Sequence, residues 1–216
     1  MARYFQRLAA IAFLIATVAP AWSAEGTNQN VIDGTGLAPT ALNPVEAIIA
    51  DGNQEMPMRF IAPKTRIQAR ALGIGGYAKY MVLGGSRAMQ RVANTQPTFL
   101  LSIPDTPQPK NYYTLASFAV RPNNTREVVI ASTANFGGYS AGVTGDRVMP
   151  TSVERLADQS NAPNGFTIYK ISTTKPLAPG EYALIVYNSP VKTRVLGSSG
   201  FFAPSMDTCF DFGIDR

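Results

Sequence analysis

This chain predicts an all-β fold, a single antiparallel β-sandwich, and three observations carry that expectation. Short apolar segments with period-two alternation recur from residue 45 onward, and such alternation places one set of side chains on each face of a sheet. Eighteen glycines and sixteen prolines punctuate the segments with turn chemistry. Long helix-period patterns are scarce, which disfavours folds that alternate strand and helix.

Residues 1–23 read as a cleavable signal peptide. Arg3 and Arg7 form a positive n-region, Leu8 to Ala19 is an apolar run, and Pro20-Ala21-Trp22-Ser23-Ala24 offers small residues to a peptidase, with the cut expected after Ser23. The run is shorter than the about 20 apolar residues of a membrane span, and no later segment reaches that length. No cysteine lies near the cut for lipid attachment. The expected location is therefore periplasmic or secreted, in a bacterial envelope, with no transmembrane segment after cleavage. Residues 24–44, rich in Gly, Asn, Thr and Pro, are expected to form an extended or disordered lead-in, and 45–216 the sandwich domain.

Within that domain, Val45 to Ala50 leaves helix and strand open. Thr65 to Ala71 predicts a half-buried strand, with Ile67, Ala69 and Ala71 inward and Arg66, Gln68 and Arg70 outward. Ala78 to Leu83 is a strand flanked by the glycine-rich tips Gly73-Ile74-Gly75-Gly76 and Gly84-Gly85-Ser86; Ser86 to Val92 is again open to helix. Thr98 to Ile103 groups Phe99, Leu101 and Ile103 on one face. Tyr113 to Val120 leads into Arg121-Pro122-Asn123-Asn124-Thr125, a hairpin turn because Pro fixes φ and Asn tolerates left-handed geometry. Arg126 to Ser132 then returns antiparallel.

Thr151-Ser152-Val153-Glu154 has the spacing of a capping box and predicts a short helix to about Asp158. Phe166 to Ile171 is a strand. The turn Pro176-Leu177-Ala178-Pro179-Gly180 feeds Glu181 to Tyr187, which is apolar on both faces and so predicts a central, doubly covered strand. Thr208 to Ile214, with Phe210, Phe212 and Ile214 on one face, closes the core.

Composition restricts the chemistry. The chain has no histidine, which removes Ser-His and Cys-His nucleophilic mechanisms and histidine-ligated metal sites. Cys209 is the only cysteine, so no intramolecular disulfide is available, and its neighbours Phe210 and Phe212 predict a buried thiol that packs as a small hydrophobe. Without Arg3 and Arg7, 17 basic residues face 14 acidic ones, a net charge of +3. No basic cluster points to nucleic acid.

The candidate motifs are weak. Ser172-Thr173-Thr174-Lys175 and Ser189-Pro190-Val191-Lys192 have Ser-x-x-Lys spacing but no helical context, and the companion elements of acyl enzymes are missing. Gly73-Ile74-Gly75-Gly76 and Gly84-Gly85-Ser86 lack the G-K-[ST] of a phosphate loop. Asp207, Asp211 and Asp215 resemble no metal cage, and Asp211 is expected to cap or to pair with an arginine at the sheet edge. No catalytic, cofactor-binding or metal-ligating residue is assigned. Among the aromatics in or beside loops, Tyr77, Tyr80, Tyr112 and Tyr113 are expected mostly to plug the ends of the sandwich. Phe136, Tyr139, Phe201 and Phe202 are the expected binding surface.

Leu177-Ala178-Pro179-Gly180-Glu181-Tyr182, followed by Cys209-Phe210-Asp211-Phe212-Gly213, resembles exported bacterial β-domain proteins of unassigned function. Its L-x-P-G-x-Y piece is also similar to the turn that leads into a strand in immunoglobulin-like and prealbumin-like sandwiches. The resemblance implies the fold and the location and carries no catalytic residue. The expected function is a non-catalytic exported protein that binds a ligand or serves envelope assembly, with another envelope protein or a glycan as partner. Two alternatives are a carboxylate-dependent glycan hydrolase, marked by two acids close together in a cleft, and a structural subunit of an envelope or secretion complex, marked by an apolar patch or unpaired edge strand.

Overall fold

The computed structural model describes residues 46–69, 76–133, 139–187 and 208–215. The expected signal peptide, the whole of the expected lead-in, residues 70–75, Ser189 to Lys192 and Asp207 lie outside them, as do Phe136, Phe201 and Phe202 of the expected binding surface. The described strands are β1 (Ala47–Asp51), β2 (Gln54–Pro57), β3 (Phe60–Ile61), β4 (Lys64–Ala69), β5 (Tyr77–Gly84), β6 (Arg91–Val92) and β7 (Thr98–Pro104). They continue with β8 (Tyr113–Arg121), β9 (Thr125–Thr133), β10 (Tyr139–Ala141), β11 (Thr151–Arg155), β12 (Phe166–Thr173), β13 (Gly180–Val186) and β14 (Thr208–Ile214).

Two sheets form. One runs β11-β12-β7-β1-β2; the other follows β3-β14-β13-β8-β9-β5-β4, with β10 beside β9 and β6 beside β14. Among the described pairs only β6 with β14 is parallel. The fold is thus the nearly all-antiparallel, sandwich-like arrangement that the alternating segments predict.

Strand parity divides the interior into layers. Ile49 on β1, Phe99, Leu101 and Ile103 on β7, and Ile171 on β12 meet Leu115 on β8, Leu184 on β13, and Phe210 and Phe212 on β14, between the two sheets. The alternate residues of the second sheet, Ala116, Phe118, Ala183, Ile185 and Cys209, pack on Met81, Leu83 and Val128 of β5 and β9. The second sheet therefore curls back over its own outer face. This makes β13 central and covered on both sides, as its two apolar faces predict, and buries Cys209 completely. Outside the first sheet, Ile48, Leu100 and Ile168 form a third small cluster with Leu156 and Ala162.

Local chemistry explains the turns. Asn124 takes φ 59° in the β8–β9 hairpin, donating its backbone N–H to Arg121 O at 3.2 Å. Before β13, Leu177 is buried and the Tyr182 hydroxyl donates to Ala178 O at 2.7 Å. This hydrogen bond ties the start of β13 back to the turn that feeds it.

Three expectations are corrected. Thr151 to Glu154 is strand β11, paired with β12 from Thr151↔Thr173 to Arg155↔Tyr169. The β-branched Thr151 and Val153 alternate with exposed Ser152 and Glu154, and covering the edge of β12 outweighs a one-turn capping box. The strand at Thr65 exists as β4, but all six of its residues are exposed: it hangs beyond the last inward-facing row, so Ile67 and Ala69 reach no core. Gly84 and Gly85 are more than a hairpin tip, because their carbonyls receive the Arg126 guanidinium. The segments left open resolve as β1 and, near Val92, the short β6.

Candidate functional site: a forked groove beside an exposed edge

A carboxylate-dependent hydrolase needs acidic residues that a substrate can reach. Arg126 points inward from β9 and is 2% exposed. Its Nη1 meets Asp211 of β14 and lies 3.6 Å from Glu181 of β13, while Nε and Nη2 donate to Gly85 O and Gly84 O at 3.0 and 2.9 Å. Glu181 also accepts from the Ala88 backbone at 2.6 Å and from Arg91 at 2.7 Å. Asp211 thus pairs with an arginine, as expected, but in the interior rather than at the sheet edge, because β14 lies between β3 and β13. The sequence brings two acids together here. They are buried and held by guanidiniums instead of lining a cleft, so this cluster ties strands together and offers no substrate access.

The second cluster faces solvent. β8 and β9 pair only through Ala119↔Glu127, Val120↔Arg126 and Arg121↔Thr125; beyond those pairs the strands diverge. Backbone groups left unpaired at such a fork need partners, and residues 142–149 supply them. Gly142 and Thr144 donate to Ile130 O and Val129 O on β9, and Met149 donates to Leu115 O on β8. Val148 bridges to Ala116. The segment wedges the fork open.

The groove in that fork has a volume of about 290 Å³ and is lined by Tyr80, Ala119, Arg121, Glu127, Thr144, Asp146 and Arg147, among others. Register places its floor on one face, since Arg66 pairs with Tyr80, Tyr80 with Val129, and Glu127 with Ala119. The Glu127 side chain is 2% exposed, and one of its oxygens accepts from both Arg66, at 2.7 Å, and Arg121, at 3.3 Å. Arg66 lies 4.8 Å from the centre of the Tyr80 ring, a cation–π distance. Among the described residues Arg147 has one ion-pair partner, the carboxylate of Asp146, at 3.8 Å.

Beside the groove, β4 pairs with β5 on one side, and no described strand lies along the other. Its exposed sequence is Lys64-Thr65-Arg66-Ile67-Gln68-Ala69, with two cations and no acid.

The remaining sequence candidates do not join these features. Tyr139 begins β10 opposite Thr133; Phe136, Phe201 and Phe202 lie outside the described residues. Ser172 hydrogen-bonds to Thr98 at 3.4 Å while Lys175 is exposed. Tyr113 is buried and bonds to Thr151, Tyr112 packs against the main core, and Tyr77 is 49% exposed. Among the described residues no cluster of acids and cysteine is arranged to hold a metal, and no helix is long and apolar enough to cross a membrane.

Sequence reasoning missed the groove. Its partners Arg66 and Glu127 lie 61 positions apart. The one local signal was the pair Arg126-Glu127 opening an otherwise apolar strand, since adjacent strand residues point to opposite faces and both charges must find partners.

No family model, no curated protein and no solved structure matches this chain.

Proposed function

We propose that the chain is a non-catalytic binding and assembly module of the bacterial envelope, exported by its signal peptide and docking an extended segment of another envelope protein along β4. The observation that carries this reading is the exposure of β4 on both faces with one edge uncovered by any described strand. Such an edge is a template for an added strand, in which main-chain hydrogen bonds supply affinity and alternate side chains supply selectivity. Lys64 and Arg66 favour an acidic partner segment by charge complementarity. The burial and pairing of Glu181 and Asp211 support a binding role over a hydrolytic one.

The test is site-specific photo-crosslinking in intact envelopes. A photoreactive residue at Gln68 is expected to give a discrete adduct with an envelope protein, and the same probe at Met89, 82% exposed and distant from β4 in sequence, is expected to give none. A chain that remains monomeric and free of adducts at Gln68 overturns the reading.

A further inference from the structure

We infer that the groove between β8 and β9 binds a small acidic saccharide, of the size of one sugar unit carrying a carboxylate or phosphate, independently of whether β4 docks a partner. Three features point to that class.

The first is unsatisfied donors held in place. Arg121 donates through Nε to Glu127, and its two terminal nitrogens have no acceptor among the described residues. Among the described residues the Arg147 guanidinium has no hydrogen-bond acceptor; its Nε faces Asp146 at 3.8 Å. A guanidinium presents planar, paired donors that match a carboxylate or phosphate. Their side chains are 46% and 42% exposed, so each reaches an incoming ligand while its stem lines the groove.

The second is charge. The groove lining sets Arg121 and Arg147 against Glu127 and Asp146, and Arg66, which pairs with Glu127 from the neighbouring β4, brings the cluster to one positive charge in excess. Glu127 is buried beneath the rim and already shared by two cations, whereas Asp146 stands 75% exposed at the mouth. An anion entering between Arg121 and Arg147 completes the pairing that one shared carboxylate leaves unfinished.

The third separates a sugar from a bare anion. Asp146 and the Thr144 hydroxyl supply acceptors beside the arginines, and Tyr80 supplies a ring fixed by Arg66. Acceptors for ligand hydroxyls, donors for an oxyanion and an aromatic wall together suit a polyhydroxylated acid. The volume of about 290 Å³ accommodates a single ring.

The experiment is amide-resolved NMR titration of the purified chain with glucuronate, glucose 6-phosphate, inorganic phosphate and glucose. Glucuronate, glucose 6-phosphate or both are expected to shift amides at Tyr80, Arg121, Val129 and 144–147, with affinity falling as salt rises; which one binds more tightly identifies the acid group. Arg121→Gln and Arg147→Gln are each expected to weaken binding about tenfold; Arg147→Gln is expected to leave the melting temperature unchanged, because its partner Asp146 is exposed, whereas Arg121→Gln also removes a partner of the buried Glu127. Binding of glucose equal to that of the acids, binding of inorganic phosphate as tight as that of the sugar phosphate, shifts confined to residues outside the groove, or no shift at all overturns the inference. None of these outcomes bears on the crosslink at Gln68, so the two readings fail separately.

Discussion

At the scale of single residues, Arg126 and Ser102 are opposite cases of polar burial. Arg126 is fully engaged by two carboxylates and two carbonyls. Arg126→Met leaves Asp211 as a buried charge without its partner, and breaking a buried pair from one side costs about 3–5 kcal/mol; urea unfolding is expected to report that loss. Ser102 is 1% exposed, and its hydroxyl has no hydrogen-bond partner among the described residues. Ser102→Ala removes an unpaired polar group from the core and is expected to raise stability by about 1 kcal/mol, read from the same unfolding curves. A melting temperature lowered by this change would refute the assignment.

Gly213 shows how one missing Cβ permits an ion pair. A Cβ built there lies 1.6 Å from Nη1 and 2.1 Å from Cζ of Arg91, whose guanidinium lies across the strand to reach Glu181 and Asp215. Gly213→Ala must push that guanidinium away, at an expected cost of about 2 kcal/mol for the lost charged hydrogen bonds. In an Arg91→Ala background the same substitution is expected to cost little. Additive effects of the two changes in a double-mutant cycle would show that Gly213 acts in another way.

At the scale of elements, β14 is buried along its whole length. It gives Phe210 and Phe212 to the core between the sheets, Cys209 to the second core and Asp211 to the arginine cluster. Deleting residues 209–216 removes all four contributions and is expected to abolish cooperative melting in calorimetry; a soluble, cooperatively melting truncation would contradict that role. β4 is the contrasting element. Both strands were legible as strands from alternation alone, but alternation states only that two faces differ. Whether a face meets a core depends on how far the sheet extends past its neighbours, which is why the inward assignment of Ile67 failed while that of Phe210 held. β11 failed differently: four residues fit a helix cap and a strand equally well, and the edge of β12 decided between them.

At the scale of the whole molecule, pH dependence follows from what the chain lacks and what it buries. With no histidine, no side chain has an ordinary pKa between about 5 and 8, so the melting temperature is expected to be flat across that range. Hydrogen bonding from Arg91 lowers the Asp215 pKa, and the backbone N–H of Ser160 lowers that of Asp158. A lowered carboxylate contributes stability above its unfolded pKa, about 3.9, and loses it as pH falls through the folded value. Burial raises Tyr113 and Tyr182; their contribution is complete below the unfolded value of about 10 and is lost as pH rises through the folded one. Thermal melts between pH 3 and pH 11 are expected to give a plateau with falls on both sides, and a transition centred near pH 6.5 would contradict it.

The sequence by itself determined the β class, the order of the main strands, the two apolar faces of β13, and the lack of histidine and of any disulfide partner for Cys209. Each of these is a matter of residue type or of period two along a few consecutive positions. Tertiary structure alone decided that the second sheet curls over its own back, that Glu181 and Asp211 converge on Arg126, that one edge of β4 is left without a described strand beside it, and that β8 and β9 fork around a groove bearing Arg121 and Arg147. Those outcomes join residues far apart in the chain, Glu181 and Asp211 at 30 positions and Arg126 and Asp211 at 85. Local spacing sets which face a side chain occupies; only the path of the sheet sets what that face meets.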